Sequence, residues 1–218
     1  MPAPQLVIFD CDGVLVDSEV ISNDVLARSL TAHGLPTTLA EARQSYQGLL
    51  LTEVVTKTEA KLGRRLPHGW LEGYESERAD VFRRELKPID GAAEAVESIK
   101  RAGVAVCVAS QGKLGKTRLS LELTGLDRLF PADTRFSAEL VARGKPYPDL
   151  FLLAASAMSA EPARCVVVED SPSGVTAAVA AGMRAIGYSA DCDEGAMRSA
   201  GAATIRSLNQ LPGLLGLG

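Results

Sequence analysis

Histidine is scarce in this 218-residue chain: only His33 and His68 occur, both in polar stretches that read as helices. A histidine-rich metal site is therefore excluded, and a Ser-His-Asp triad lacks an obvious base. Cysteine is sparse too, with Cys11, Cys107, Cys165 and Cys192 far apart and no C-x-x-C pair. Cys107 and Cys165 fall in apolar runs that read as buried strands, so reduced packing thiols in a cytoplasmic protein are expected. No run approaches the roughly 20 apolar residues that a membrane-spanning helix needs. The opening Met-Pro-Ala-Pro-Gln has neither the basic region nor the apolar core of a signal peptide. No block of Lys or Arg stands out and the net charge is −4. Neither nucleic acid nor a membrane is the expected partner.

What is present is globular: 46% hydrophobic and 23% charged residues, enough to bury a core without disulfides or structural metal. Four short β-branched runs, Leu6–Phe9, Val104–Ala109, Cys165–Val168 and Arg184–Tyr188, are too short for buried helices and read as central strands. Amphipathic stretches at Ala92–Ala102, Leu114–Thr124, Pro148–Ser159 and Gly174–Ala181 alternate with them. That alternation predicts an α/β fold, a doubly wound, Rossmann-like parallel sheet. From about Asp17 to Lys87 the pattern is helical throughout, with Leu26, Leu30, Val54, Val55 and Leu62 at helical spacing. The predicted organisation is a core of residues 1–15 and 88–218 with an inserted all-helical cap at 16–87.

The strongest local signal is Asp10-Cys11-Asp12-Gly13 directly after the first strand. Residues two apart at a strand end project to the same side, so Asp10 and Asp12 face together beyond the carboxyl edge, where open α/β sheets bind ligands. The third run ends in Glu169-Asp170-Ser171 and brings a second acidic pair to that edge. Acids at strand ends often do no more than cap helices, but two such clusters ending two central strands form an oxygen-rich site suited to Mg²⁺. Ser110, with Gln111 after it, ends another strand before a helix and is a candidate phosphate holder. Lys145, in Gly144-Lys145-Pro146, is placed to offset the negative charge gathered there.

This set, in this order, resembles the haloacid dehalogenase superfamily. The resemblance rests on Asp10 through Glu19, Ser110, Gly144-Lys145-Pro146 and Val168-Glu169-Asp170-Ser171, and extends through Ala180-Ala181-Gly182-Met183. The inserted segment looks like the cap of the β-phosphoglucomutase-like branch. The resemblance implies an Mg²⁺-dependent phosphatase acting on a small phosphorylated metabolite, as a monomer or weak homodimer. It makes Asp10 the nucleophile and Asp12 the acid and base. It puts Mg²⁺ on the Asp10 carboxylate, the Asp12 carbonyl and Asp170, with Glu169 either a ligand or a partner behind the ligands. Ser110 and Lys145 then stabilise the phosphoryl oxygens.

A phosphosugar mutase shares all of these core residues, so the cap must decide. Mutases of the branch usually carry a His near the position of Ser22 and a phosphate-binding Arg after the cap-loop glycine. Here Gln47-Gly48-Leu49-Leu50-Leu51 offers only leucines after Gly48. Both departures favour a phosphatase, with Gln47, Gly48 and Leu51 as candidate specificity residues on a mobile cap. Two other motifs compete. Ser110 through Thr117 matches the P-loop GxxxxGK[ST] except for Ser110 at its first glycine, and a P-loop nucleotide-binding protein would leave Asp10 and Asp12 without a role. On this reading Lys116 and Arg118 lie on the solvated face of a helix. Cys192 and Arg198 have the spacing of a cysteine phosphatase, but Asp193 and Glu194 between them would repel a phosphate. Trp70 and Tyr74 read as a packed pair.

Overall fold

Four apolar residues, Leu6–Phe9 (β1), form the centre of the sheet and are completely buried. Such a run suits a strand covered on both faces. Our structure, a computed structural model, describes residues 3–46, 48–190 and 193–217. The further strands are β2 (Ala105–Ser110), β3 (Arg135–Ser137), β4 (Cys165–Glu169), β5 (Arg184–Tyr188) and β6 (Ala203–Ile205). They form one parallel sheet in the order β3-β2-β1-β4-β5-β6. The four expected strands are present. The two additional ones are edge strands of three residues each, too short to show a pattern in sequence.

The chain divides into two compact units, Met1–Val16 with Pro88–Gly218 and Asp17–Lys87. In the first unit, helices α5 (Ala92–Arg101), α6 (Leu114–Leu123), α7 (Asp149–Ala157), α8 (Pro172–Ala180), α9 (Glu194–Ser199) and α10 (Leu211–Leu214) surround the sheet. Leu6, Ile8, Cys107, Ala109, Cys165 and Val167 form one face. They pack with Leu150, Phe151 and Ala154 of α7, Val175, Ala177 and Ala178 of α8, and Met197 of α9. Val7, Phe9, Val106 and Val108 alternate with these and point the other way; there Phe9 meets Phe130 edge to face at 6.1 Å. The chain runs from β1 to β2 on one side and returns after β3 to β4 on the other side of β1. The order of strands therefore reverses at β1, and the crevice at such a reversal is where open α/β sheets hold ligands.

The second unit consists of α1 (Glu19–Ala32), α2 (Leu39–Tyr46), α3 (Leu51–Leu62) and α4 (Trp70–Glu85). Its own core joins Val25, Leu26, Leu30, Tyr46, Val54, Trp70, Tyr74 and Val81. Trp70 and Tyr74 are buried and stacked at 5.8 Å, a packed pair as the i, i+4 spacing predicts. Among the described residues no helix is long and apolar enough to cross a membrane.

Two leucines two positions apart on α7 test this packing. Leu150 is fully buried, whereas Leu152 is 40% exposed. Leu150→Ala is expected to cost about 2–5 kcal/mol and Leu152→Ala under about 1 kcal/mol, measured by urea unfolding.

Candidate active site

The register of the sheet sets the site. Phe9 aligns with Val108 on one side and with Val168 on the other, so Asp10, Ser110 and Glu169 emerge together at the carboxyl edge. Asp10 N–H still donates to the Val168 carbonyl at 2.9 Å, which fixes its Cα against β4. The chain then turns sharply: the Cys11 carbonyl accepts from Leu15 and Val16, and Gly13 N–H donates to the Val16 carbonyl at 2.9 Å. Gly13 has φ +74°, and a Cβ there would stand 2.1 Å from Asp170 Oδ2. No side chain fits, and the absence of one lets Asp170 lie against the turn that carries Asp12.

Lys145 sits at the centre. Its Nζ donates to Asp10 Oδ1 at 2.5 Å, Glu169 Oε1 at 2.5 Å and the Ala109 carbonyl at 3.1 Å. Three acceptors use all three ammonium protons. Its backbone N–H donates to Gln111 Oε1 at 3.0 Å, so Gln111, a candidate phosphate holder in sequence, uses its amide oxygen to fix the lysine's loop. Glu169 is equally engaged: its Oε2 accepts from Ser171 N–H at 3.0 Å and Oγ–H at 2.8 Å. Ser171 Oγ in turn accepts from Gly174 N–H and caps α8. A Cβ at Gly174 would meet Glu169 Cδ at 2.0 Å, so that glycine is what admits the carboxylate.

Burial dominates the electrostatics. It raises Asp10 to about 7; Lys145 pulls it down, and Glu169 and Asp12 push it up. Burial also works against the Lys145 ammonium, but Asp10 and Glu169 outweigh it, and the lysine stays above its ordinary range. The lysine brings one positive charge to the two acidic groups Asp10 and Glu169, and can offset only one of them. Burial, with Asp12 nearby, raises the Cys11 thiol well above the usual range. A thiol so raised is a weak nucleophile, and Cys11, Cys107 and Cys165 are all buried free thiols.

Asp12 lies beside this group. Its Oδ2 accepts from Ser110 Oγ at 3.4 Å, and its Oδ1 is ion-paired with Lys116. Lys116 thus corrects the expectation of a solvated helix position: it is the third residue of α6, and its side chain turns back to the sheet edge. Arg118 does lie in solvent, 3.6 Å from Glu122. Ser110 Oγ also accepts from Gly112 N–H at 3.0 Å, within the run that resembles a P-loop. Ser137 and Glu139 were not anticipated. Ser137 Oγ donates to the Gly112 carbonyl at 2.7 Å, and Glu139 Oε2 accepts from Leu114 N–H at 2.8 Å. Both belong to or follow β3, whose three residues give no signal in sequence.

Four carboxylates, Asp10, Asp12, Glu169 and Asp170, therefore stand against two ammonium groups, Lys116 and Lys145. Among the described residues no three His, Cys, Asp or Glu side chains form a metal cage by themselves. A hard cation that takes one or two carboxylates, a carbonyl and waters needs no such cage, and an excess of buried carboxylate oxygen suits it. The remaining candidates are those of the helical unit and the Cys192–Arg198 pair. Gly48 has φ +77°, Leu51 opens α3 and packs partly buried on the helical unit's own core, and Gln47 lies outside the described residues. Cys192 lies outside them as well, while Arg198 bonds Glu194 and Thr204 at the surface.

Comparison with known proteins shows the family. The family model of haloacid dehalogenase-like hydrolases matches residues 4–182. The 6-phosphogluconate phosphatase of Escherichia coli is 32% identical over 211 residues, 96% of this chain and 94% of its own. Hexitol phosphatase A of the same bacterium is 32% identical over 193 residues, 85% of this chain and 83% of its own. A crystal structure of a hydrolase of the same family from Deinococcus radiodurans, with bound phosphate and sodium, superposes with a TM-score of 0.81. It is 31% identical and covers 99% of this chain and 98% of its own.

Removing the central cation tests the electrostatic account. Lys145→Met leaves Asp10 and Glu169 buried without a counter-charge, and is expected to cost about 3 kcal/mol at pH 8. A carboxyl raised in the folded state binds its proton more tightly there than when unfolded. The penalty is therefore small near pH 4–5 and grows as pH rises through about 7. Urea unfolding in chelator at both ends of that range measures it; equal losses would contradict the account.

Proposed function

Because the chain belongs to the haloacid dehalogenase-like hydrolases and is a phosphatase, we propose that it is an Mg²⁺-dependent phosphomonoesterase for sugar phosphates that works through an aspartyl phosphate on Asp10. The observation that carries this reading is the pair Asp10 and Asp12 at one strand end, each carboxylate held by its own lysine. Asp10 attacks phosphorus in line, its oxygen forming the new bond as the bond to the sugar oxygen breaks. Asp12 gives its proton to that departing oxygen, then takes one from the water that cleaves the acyl phosphate. Ser110 offers a donor, and the Lys145 ammonium its positive charge, to the transferring oxygens. Gln111 supports Lys145 from behind, an indirect role for a residue otherwise read as touching phosphate.

Phosphatases of this family generally use a divalent metal. The Asp10 and Asp170 carboxylates and the Asp12 carbonyl would hold Mg²⁺ here, which when bound supplies positive charge to the phosphoryl oxygens and relieves the repulsion among the carboxylates. Glu169 has both oxygens occupied by Lys145 and Ser171, and we assign it to holding the lysine.

Selectivity is assigned to the helical unit. Ser22 and the leucines after Gly48 provide no cation for a second phosphate, which favours hydrolysis over transfer between two positions of one sugar. The relatives named 6-phosphogluconate phosphatase and hexitol phosphatase A support a sugar-derived substrate.

Asp10→Asn is expected to abolish phosphate release from sugar phosphates in a protein that melts like the parent, since an amide cannot form the acyl phosphate. Retained release would overturn the covalent route. In the parent, chelation should stop turnover and Mg²⁺ restore it, whereas Ca²⁺, with longer bonds and more ligands, should not. Full activity after thorough metal removal would contradict the metal assignment.

A further inference from the structure

Lys116 is given no chemical role in the reading above, and its placement is specific. From the first turn of α6 its stem passes back over Gly112, where a Cβ would stand 3.2 Å from Lys116 Cδ. Its ammonium reaches Asp12 Oδ1 with the side chain only 14% exposed. The route is fixed from β3, through Ser137 on the Gly112 carbonyl and Glu139 on the Leu114 N–H. The remaining oxygen, Asp12 Oδ2, has the long 3.4 Å bond from Ser110. A carboxylate can turn about both of its side-chain torsions. A charge-assisted bond from an ammonium on a fixed stem removes that freedom.

We propose that Lys116 is a positioning residue for Asp12: it pins one carboxylate oxygen so that the other is presented for proton exchange with the leaving oxygen. The inference rests on the phosphatase reading, in which Asp12 moves that proton. The bookkeeping is simple. Asp12 gives one proton from Oδ2 as the bond between phosphorus and the sugar oxygen breaks, and regains one from water when the Asp10–phosphorus bond breaks. Lys116 keeps its three protons throughout. Its positive charge also balances part of the carboxylate excess, which affects every phosphate ester alike. Positioning, by contrast, matters only where the leaving group needs a proton.

That difference supplies the test. kcat/KM reports the steps through departure of the leaving group, and is compared for a sugar phosphate and for p-nitrophenyl phosphate, whose nitrophenolate leaves without protonation. Lys116→Gln and Lys116→Met are expected to lose on the order of 10–100-fold on the sugar phosphate but under about threefold on the aryl ester. Lys116→Arg, which keeps the charge and the donors, should recover most of the loss. Having both neutral variants guards against one failing to fold, with thermal melts as the check. Equal losses on the two esters, no loss on either, or no recovery with Arg would overturn the positioning role. A parent that releases phosphate from neither ester would overturn the phosphatase reading instead.

Discussion

Lys145 Nζ donates to Asp10, Glu169 and the Ala109 carbonyl where almost no water reaches, and these three bonds decide what the neighbouring residues can do. Removing an ammonium and two carboxylates from water is costly. The cost is tolerable here because every donor on the lysine has an acceptor and every Glu169 oxygen has a donor. Asp10 Oδ1 is thereby fixed in direction, while the charge on the pair of carboxylates is only half offset. A nucleophile needs both conditions: a set orientation, and negative charge that has not been fully neutralised. The remaining imbalance is what a divalent cation and a phosphoryl group would complete.

The rest of the core unit makes that arrangement possible. β1 sits between β2 and β4, so a carboxylate at its end has neighbours from both: Ser110 on one side, Glu169 and Asp170 on the other. Gly13 and Gly174 are close-approach positions, where an added Cβ would overlap Asp170 and Glu169. Ser137 and Glu139 fix the loop after β2. Residues at the margin of the cluster therefore place Asp10, Glu169 and Asp170, and small errors in placement are expensive where geometry governs chemistry.

Much of this was legible in the sequence, and the missing part has a physical reason. Leu6–Phe9 and Cys165–Glu169 are continuous apolar runs that end in acids, so the strands, the edge and the acidic pairs can all be read together. The helical character of Asp17–Lys87 is equally plain from the spacing of Leu26, Leu30 and Val54. β3 and β6 were invisible because three residues carry no period, and with β3 went Ser137 and Glu139. Lys116 was misread because helical periodicity describes a helix's flank, whereas its first turn faces the sheet edge and lets a long side chain reach back. Gln111 was placed at the correct edge, but its partner, the Lys145 backbone, lies 34 residues away in sequence, a contact only the fold creates.

The chemistry this geometry supports has two displacements at phosphorus, one by Asp10 and one by water. Each in-line displacement inverts the phosphorus, so a pair of them restores its original configuration. The most direct measurement is therefore turnover of a sugar phosphate made chiral at phosphorus with oxygen isotopes and transferred to an acceptor alcohol in place of water. Net retention is the result the account predicts. Net inversion would mean a single displacement by the acceptor, with Asp10 never carrying the phosphoryl group, and would contradict it.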